Sequence, residues 1–121
     1  METVADFTDE AVRLSGLLDS GLTALREQAR AVADAEAAYR KGKAEAWVGT
    51  ATEDLLAKER EAQVDAATAD LRRTRDLAEA RARAALESVR SRRTQISALQ
   101  SLLAAHRSEA EFARTAPEMA A

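Results

Sequence analysis

Cysteine is absent from these 121 residues, proline occurs once, glycine four times, and only Phe7, Tyr39, Trp47 and Phe112 are aromatic. Without Cys there are no disulfides and no thiolate metal sites, and nothing points to an oxidising compartment. So little Gly and Pro leaves too few turn formers for a strand-rich fold. No apolar run is long enough for a signal peptide or a membrane span, and the opening Met1–Asp9 carries three acids and no base. The expectation is a soluble, cytoplasmic chain with no membrane association.

What remains is Ala, Arg, Glu and Leu in abundance with 32% charge, the composition of long helices and coiled coils. At this length the chain is one domain, residues 1–121. Its net charge of −3 is unevenly spread: residues 1–71 carry −7, residues 72–93 carry +5 and residues 94–121 carry −1. A basic middle in an acidic protein is a feature in its own right.

One position in seven stays apolar from Val4 through Ala11, Leu18, Leu25, Val32 and Tyr39 to Ala46. Phe7, Leu14, Gly21 and Ala35 run beside it as a second line, completing an a/d seam. This predicts a helix over about 8–46, loosened near Gly16 and at Asp19-Ser20-Gly21. A turn is expected at 47–52, with Gly49 as a C-cap and Thr50 with Glu53 as a capping box opening the next helix. The second helix is expected over about 53–114, ended by Pro117, with a frayed tail at 115–121. Its first half offers Ala57, Val64, Ala67, Leu71, Thr74 and Ala78 as a weak seam. A phase slip near Arg81 then leads to Ala82, Ala85, Val89, Ile96, Leu99 and Leu103, with Arg92 and His106 as polar intrusions.

The fold class is therefore all-α: a long antiparallel helical hairpin or coiled coil, its second helix longer than its first. At about 1.5 Å per residue the second helix would overhang the first by about 20 residues, roughly 92–113. That stretch carries Ile96, Leu99, Leu102, Leu103 and Phe112. Apolar side chains on an unpartnered helix call for self-association, so these five residues form the expected oligomer interface.

The candidate partner or nucleic-acid surface is Arg72, Arg73, Arg75, Arg81, Arg83, Arg90, Arg92 and Arg93. Such a group could track a phosphate backbone. The competing reading is a solvated face with the pairs Arg72–Asp76, Arg75–Glu79 and Arg83–Glu87. No aromatic lies among these arginines to stack on bases. The sole His, His106, has no Cys or second His with which to hold a metal, and no nucleophile–base–orienter set or phosphate loop occurs. A non-catalytic protein without cofactors is expected.

Trp47-Val48-Gly49 at the turn resembles the W-x-G of secreted helical hairpins of the ESX type. The aromatic-x-x-x-acid export signal of those proteins is missing, since Phe112 is followed four on by Ala116 and His106 by Ala110. Broader is the likeness carried by Ala38-Tyr39-Arg40-Lys41-Gly42-Lys43-Ala44-Glu45-Ala46-Trp47, by Thr68-Ala69-Asp70-Leu71-Arg72, by Ser91 to Ser101 and by His106 to Thr115. These segments resemble small coiled-coil proteins of tailed phages of actinobacteria, over about two thirds of the chain. The resemblance implies an early-region accessory protein in the host cytoplasm, with a host or phage protein of recombination, replication or defence as partner. Direct DNA binding through 72–93 and an ESX-like secreted hairpin are the alternatives.

Overall fold

A computed structural model describes the backbone of residues 3–120 and the side chains as far as residue 115. Every regular element among the described residues is a helix: α1 (Val4–Gly49), α2 (Ala57–Ala67) and α3 (Ala69–Ala120). Helix α1 packs against α3 as a helical hairpin. The contacts divide into two units, one combining Met1–Leu22 with Glu87–Ala121 and the other comprising Thr23–Leu86.

In α1 the seam is a strict seven-residue repeat. The line from Ala11 to Ala46 and the line from Phe7 to Gly42 are buried or half-buried at every step. The second line includes Gln28 and Gly42, which are not apolar side chains but occupy the inward position by spacing alone. Neither Gly16 nor Gly21 interrupts the helix. The methyl of Val89 lies 3.4 Å from where a Cβ on Gly21 would stand, so small size at this step brings the arms together.

The N-terminus of α1 is capped by its own sequence. Thr3 N–H and hydroxyl both donate to Asp6 Oδ2, at 2.8 and 3.0 Å, and Asp6 N–H donates back to Thr3 Oγ1 at 3.2 Å. Two otherwise orphaned donors are thus satisfied reciprocally, which carries the helix back to Val4 rather than to about residue 8. The capping box expected at Thr50 and Glu53 does not form. Thr50 instead closes the end of α1, its hydroxyl donating to Trp47 O at 2.9 Å, and the chain reverses through residues 50–56 before α2 begins behind an uncapped Leu56. The turn is therefore later and longer than the expected 47–52. Gly49 ends α1 without a left-handed conformation, its neighbouring carbonyls being taken by Thr50, Ala51 and Arg60.

The second arm is broken once, at Thr68. Inward positions step by four from Arg60 to Val64 to Thr68 and then alternate three and four without exception to His106. The irregularity thus sits at the α2–α3 junction, and the phase slip expected near Arg81 is absent. Thr68 marks it chemically: its N–H and hydroxyl both donate to Val64 O, at 3.0 and 2.8 Å, and back-bonding of this kind bends a helix. Restoring the phase puts Thr68 and Arg75 in the seam in place of Ala67 and Thr74. Helix α3 then runs on through Pro117 to Ala120, where a tail was expected from residue 115; Ala121 lies outside the described residues.

The later turn and earlier start of α1 also remove most of the expected overhang. Leu99 is 7% exposed and Leu14 4%, and Phe7 meets His106 edge to face at 6.2 Å. Ile96 and Leu103 are half-buried in the same seam. The inward positions Arg92, Ile96, Leu99, Leu103 and His106 are therefore covered by α1 of the same chain.

Candidate functional site

Where the seam ends, apolar groups remain on the surface. In the unit that includes Glu87–Ala121, Leu102 is 53% exposed and Phe112 71% exposed. Of the five side chains expected at an oligomer interface, these two face solvent, and Ile96, Leu99 and Leu103 belong to the intrachain seam. A groove of about 520 Å³ is lined by Asp6, Phe7, Glu10, Leu99 and Leu102. It continues as a second of about 260 Å³ toward Leu14, Gln95 and Ala98. Two carboxylates thus stand over an apolar lining. The Thr3 backbone amide and hydroxyl hold Asp6 below the usual carboxylate range, and the Arg13 guanidinium does the same for Glu10, Arg13 Nε lying 2.9 Å from Glu10 Oε2. Both stay ionised at neutral pH.

The unit Thr23–Leu86 carries a patch of the opposite sign. Trp47 is 41% exposed, and the Arg60 guanidinium stacks 3.8 Å from its ring centroid. Arg60 is itself fixed by donating to Trp47 O at 2.6 Å and to Thr50 Oγ1 at 2.8 Å. The planar fork of Arg suits both tasks at once. Trp47 therefore sits on a bonded support and does not plug an apolar core. A groove of about 310 Å³ is lined by Arg40, Lys43, Ala44 and Trp47. These residues follow one another at three, one and three, on one helical face. Lys43 and Trp47 also line a groove of about 340 Å³ with Glu61, Val64 and Asp65.

The eight arginines of 72–93 do not form one stripe. Arg75 and Arg92 occupy seam positions. Arg75 lies 4.4 Å from the Tyr39 ring centroid, 3.1 Å from Asp76 and 3.9 Å from Glu36. The hydrogen bond to Asp76 chiefly raises its pKa, with Glu36 and Glu79 adding at longer range. Arg92 donates to Gln95 at 3.1 Å. Of the others, Arg72 and Arg83 lie eleven residues apart, about three turns, on one side of the helix, Arg90 and Arg93 lie three apart in the other unit, and Arg73 and Arg81 lie on other faces. Besides Arg75–Asp76, the arginines of this stretch pair within the helix as Arg73–Asp70 at 4.0 Å and Arg90–Glu87 at 3.0 Å, not as the three pairs expected from spacing. A missed signal was Trp47 itself, with Arg40 seven residues before it and Lys43 four before it.

Among the described residues no group of His, Asp and Glu could hold a metal, and no helix is long and apolar enough to cross a membrane. No family model matches the chain, nor does any curated protein or solved structure.

Proposed function

We propose that this chain is a non-catalytic helical hairpin that works by protein–protein contact, associating with copies of itself and with a protein partner. The observation that carries this reading is the exposure of Trp47, Val48, Leu56, Leu102 and Phe112 outside a seam that is already filled. Exposed aromatic and aliphatic groups beside fixed charges are the ordinary composition of binding hot spots. Recombination, replication and host-defence proteins are the partner classes implied by the phage-like segments, and the host cytoplasm is the corresponding location. Arg75 and Arg92 are drawn into the seam and no aromatic lies among the eight arginines to stack on bases, so DNA binding stands as the second reading.

Affinity capture with the full chain from cells that express it, followed by mass spectrometry, tests the partner half of the reading. Capture of a defined protein that Trp47→Ala or Phe112→Asp abolishes, with helicity by circular dichroism unchanged, is the expected outcome. Capture insensitive to both substitutions refutes it.

A further inference from the structure

The two patches complement each other in sign. Asp6 and Glu10 flank an apolar groove formed with Phe7, Leu99 and Leu102. Arg40 and Lys43 flank an exposed indole, Trp47. Each patch is presented by a helix. The pairs Asp6–Glu10 and Arg40–Lys43 are spaced four and three along α1, so each displays its two charges on one side of the helix. Arg60 holds the indole on its support, which lowers the ordering cost of burying it in a second surface. The partners already present are weak competitors. Arg40 pairs with Glu36 at 3.1 Å with its side chain 78% exposed, and Glu10 pairs with Arg13 on the open surface. Exposed pairs of this kind contribute little and exchange readily.

We infer that the Arg40–Lys43–Trp47 patch of one copy docks into the Asp6–Phe7–Glu10–Leu99–Leu102 groove of a second copy of this chain, indole against the apolar lining and cations against the carboxylates. This rests on the self-association half of the proposed function and supplies its surfaces. Because the two surfaces differ, the contact is heterologous: one copy is left with a free groove and the other with a free patch, and association proceeds beyond the dimer as rings or open chains. Its charge pairs make it salt-sensitive.

Trp47 is the sole tryptophan, so its emission reports on the contact directly. In sedimentation velocity the full chain should show species larger than monomer that grow with concentration, accompanied by a blue shift of Trp47 emission, both diminished by added salt. Two variants separate the surfaces. Arg40→Glu with Lys43→Glu spoils the patch and leaves the groove. Glu10→Lys with Leu102→Lys spoils the groove through a half-buried and an exposed position outside the seam and leaves the patch. Each alone should weaken self-association at least about tenfold with its helicity unchanged. Mixed, the two should form a one-to-one heterodimer and nothing larger, since each supplies the surface the other lacks. A wild-type chain that stays monomeric overturns the inference, as does either variant assembling like the wild type or a mixture that stays monomeric. A monomer that still captures a cellular protein refutes this docking alone and leaves partner binding standing.

Discussion

Replacing glycines one at a time along α1 should separate helix propensity from interhelical fit. Gly16 lies on the outer face, and a Cβ there would meet nothing within 4 Å. Gly16→Ala should therefore collect the full helical gain of about 0.5–1 kcal/mol. Gly42 is a seam position. A Cβ there would overlap the terminal methyl of Leu71 and come within 3.9 Å of Thr68 Cγ2. Overpacking costs about 1–3 kcal/mol, and the low end applies because the overlapped atom is the tip of a side chain that can rotate. With the same helical gain set against it, Gly42→Ala is thus expected to be neutral or destabilising by up to about 0.5 kcal/mol, leaving the two substitutions about 1 kcal/mol apart. For a chain of this size each kcal/mol moves Tm by about 3–6 °C. Thermal and urea unfolding followed by circular dichroism at 222 nm, at one fixed protein concentration because self-association would shift Tm, measures both. If Gly42→Ala stabilises as much as Gly16→Ala, the arms do not approach closely at this step and the seam assignment there is wrong.

Two further outcomes follow from single side chains. Val89 is 1% exposed, and Val89→Ala should cost about 1.5–3 kcal/mol in the same unfolding assay, whereas Val12→Ala, at a position 68% exposed, should change stability by less than about 0.5 kcal/mol. The Thr3–Asp6 box should respond to acid. Asp6 has its folded-state pKa lowered by Thr3, so its contribution is present above the unfolded carboxylate value and is lost as pH falls through the folded one. Amide exchange followed by NMR should show the first turn of α1 losing protection below about pH 4. The same turn should be unprotected at neutral pH in Asp6→Ala, and protection that is indifferent to both changes would contradict the cap.

The first arm was legible because its inward residues are almost all apolar, so spacing and hydrophobicity agreed from Ala11 to Ala46. Gln28 and Gly42 hold inward positions without an apolar side chain, so spacing marks them and hydrophobicity does not. In the second arm the two signals conflict. Arg75 holds an inward position, and a reading that expects charge outside shifts the phase to Thr74, which makes Ala67 and Thr74 seam residues and forces an artificial slip at Arg81, whereas Arg92 lies in the seam as the polar intrusion expected there. What makes Arg75 tolerable inside is another residue far away in sequence: the Tyr39 face takes the guanidinium while Glu36 and Asp76 take its charge. The turn was misplaced for a similar reason. Thr50-x-x-Glu53 and Thr3-x-x-Asp6 carry equivalent capping patterns, and only the second begins a helix, because Thr50 is claimed by Trp47 O and by Arg60.

That misplacement matters for the functional surface more than for the fold. Moving the reversal to residues 50–56 slides Leu99 and Leu103 from an imagined overhang into the intrachain seam, so the apolar groups left for partners are fewer and lie elsewhere. It also brings Arg60, ten residues beyond Thr50, back onto Trp47. A residue that spacing treats as an ordinary helix-surface cation thereby becomes the support of the most exposed aromatic anchor of its unit. The charges next to that anchor, Arg40 and Lys43, lie outside the basic run 72–93 that dominates the sequence by count. Counting identifies where charge is dense, whereas recognition needs charge beside a fixed, exposed apolar group, and in this chain that pairing occurs around Trp47.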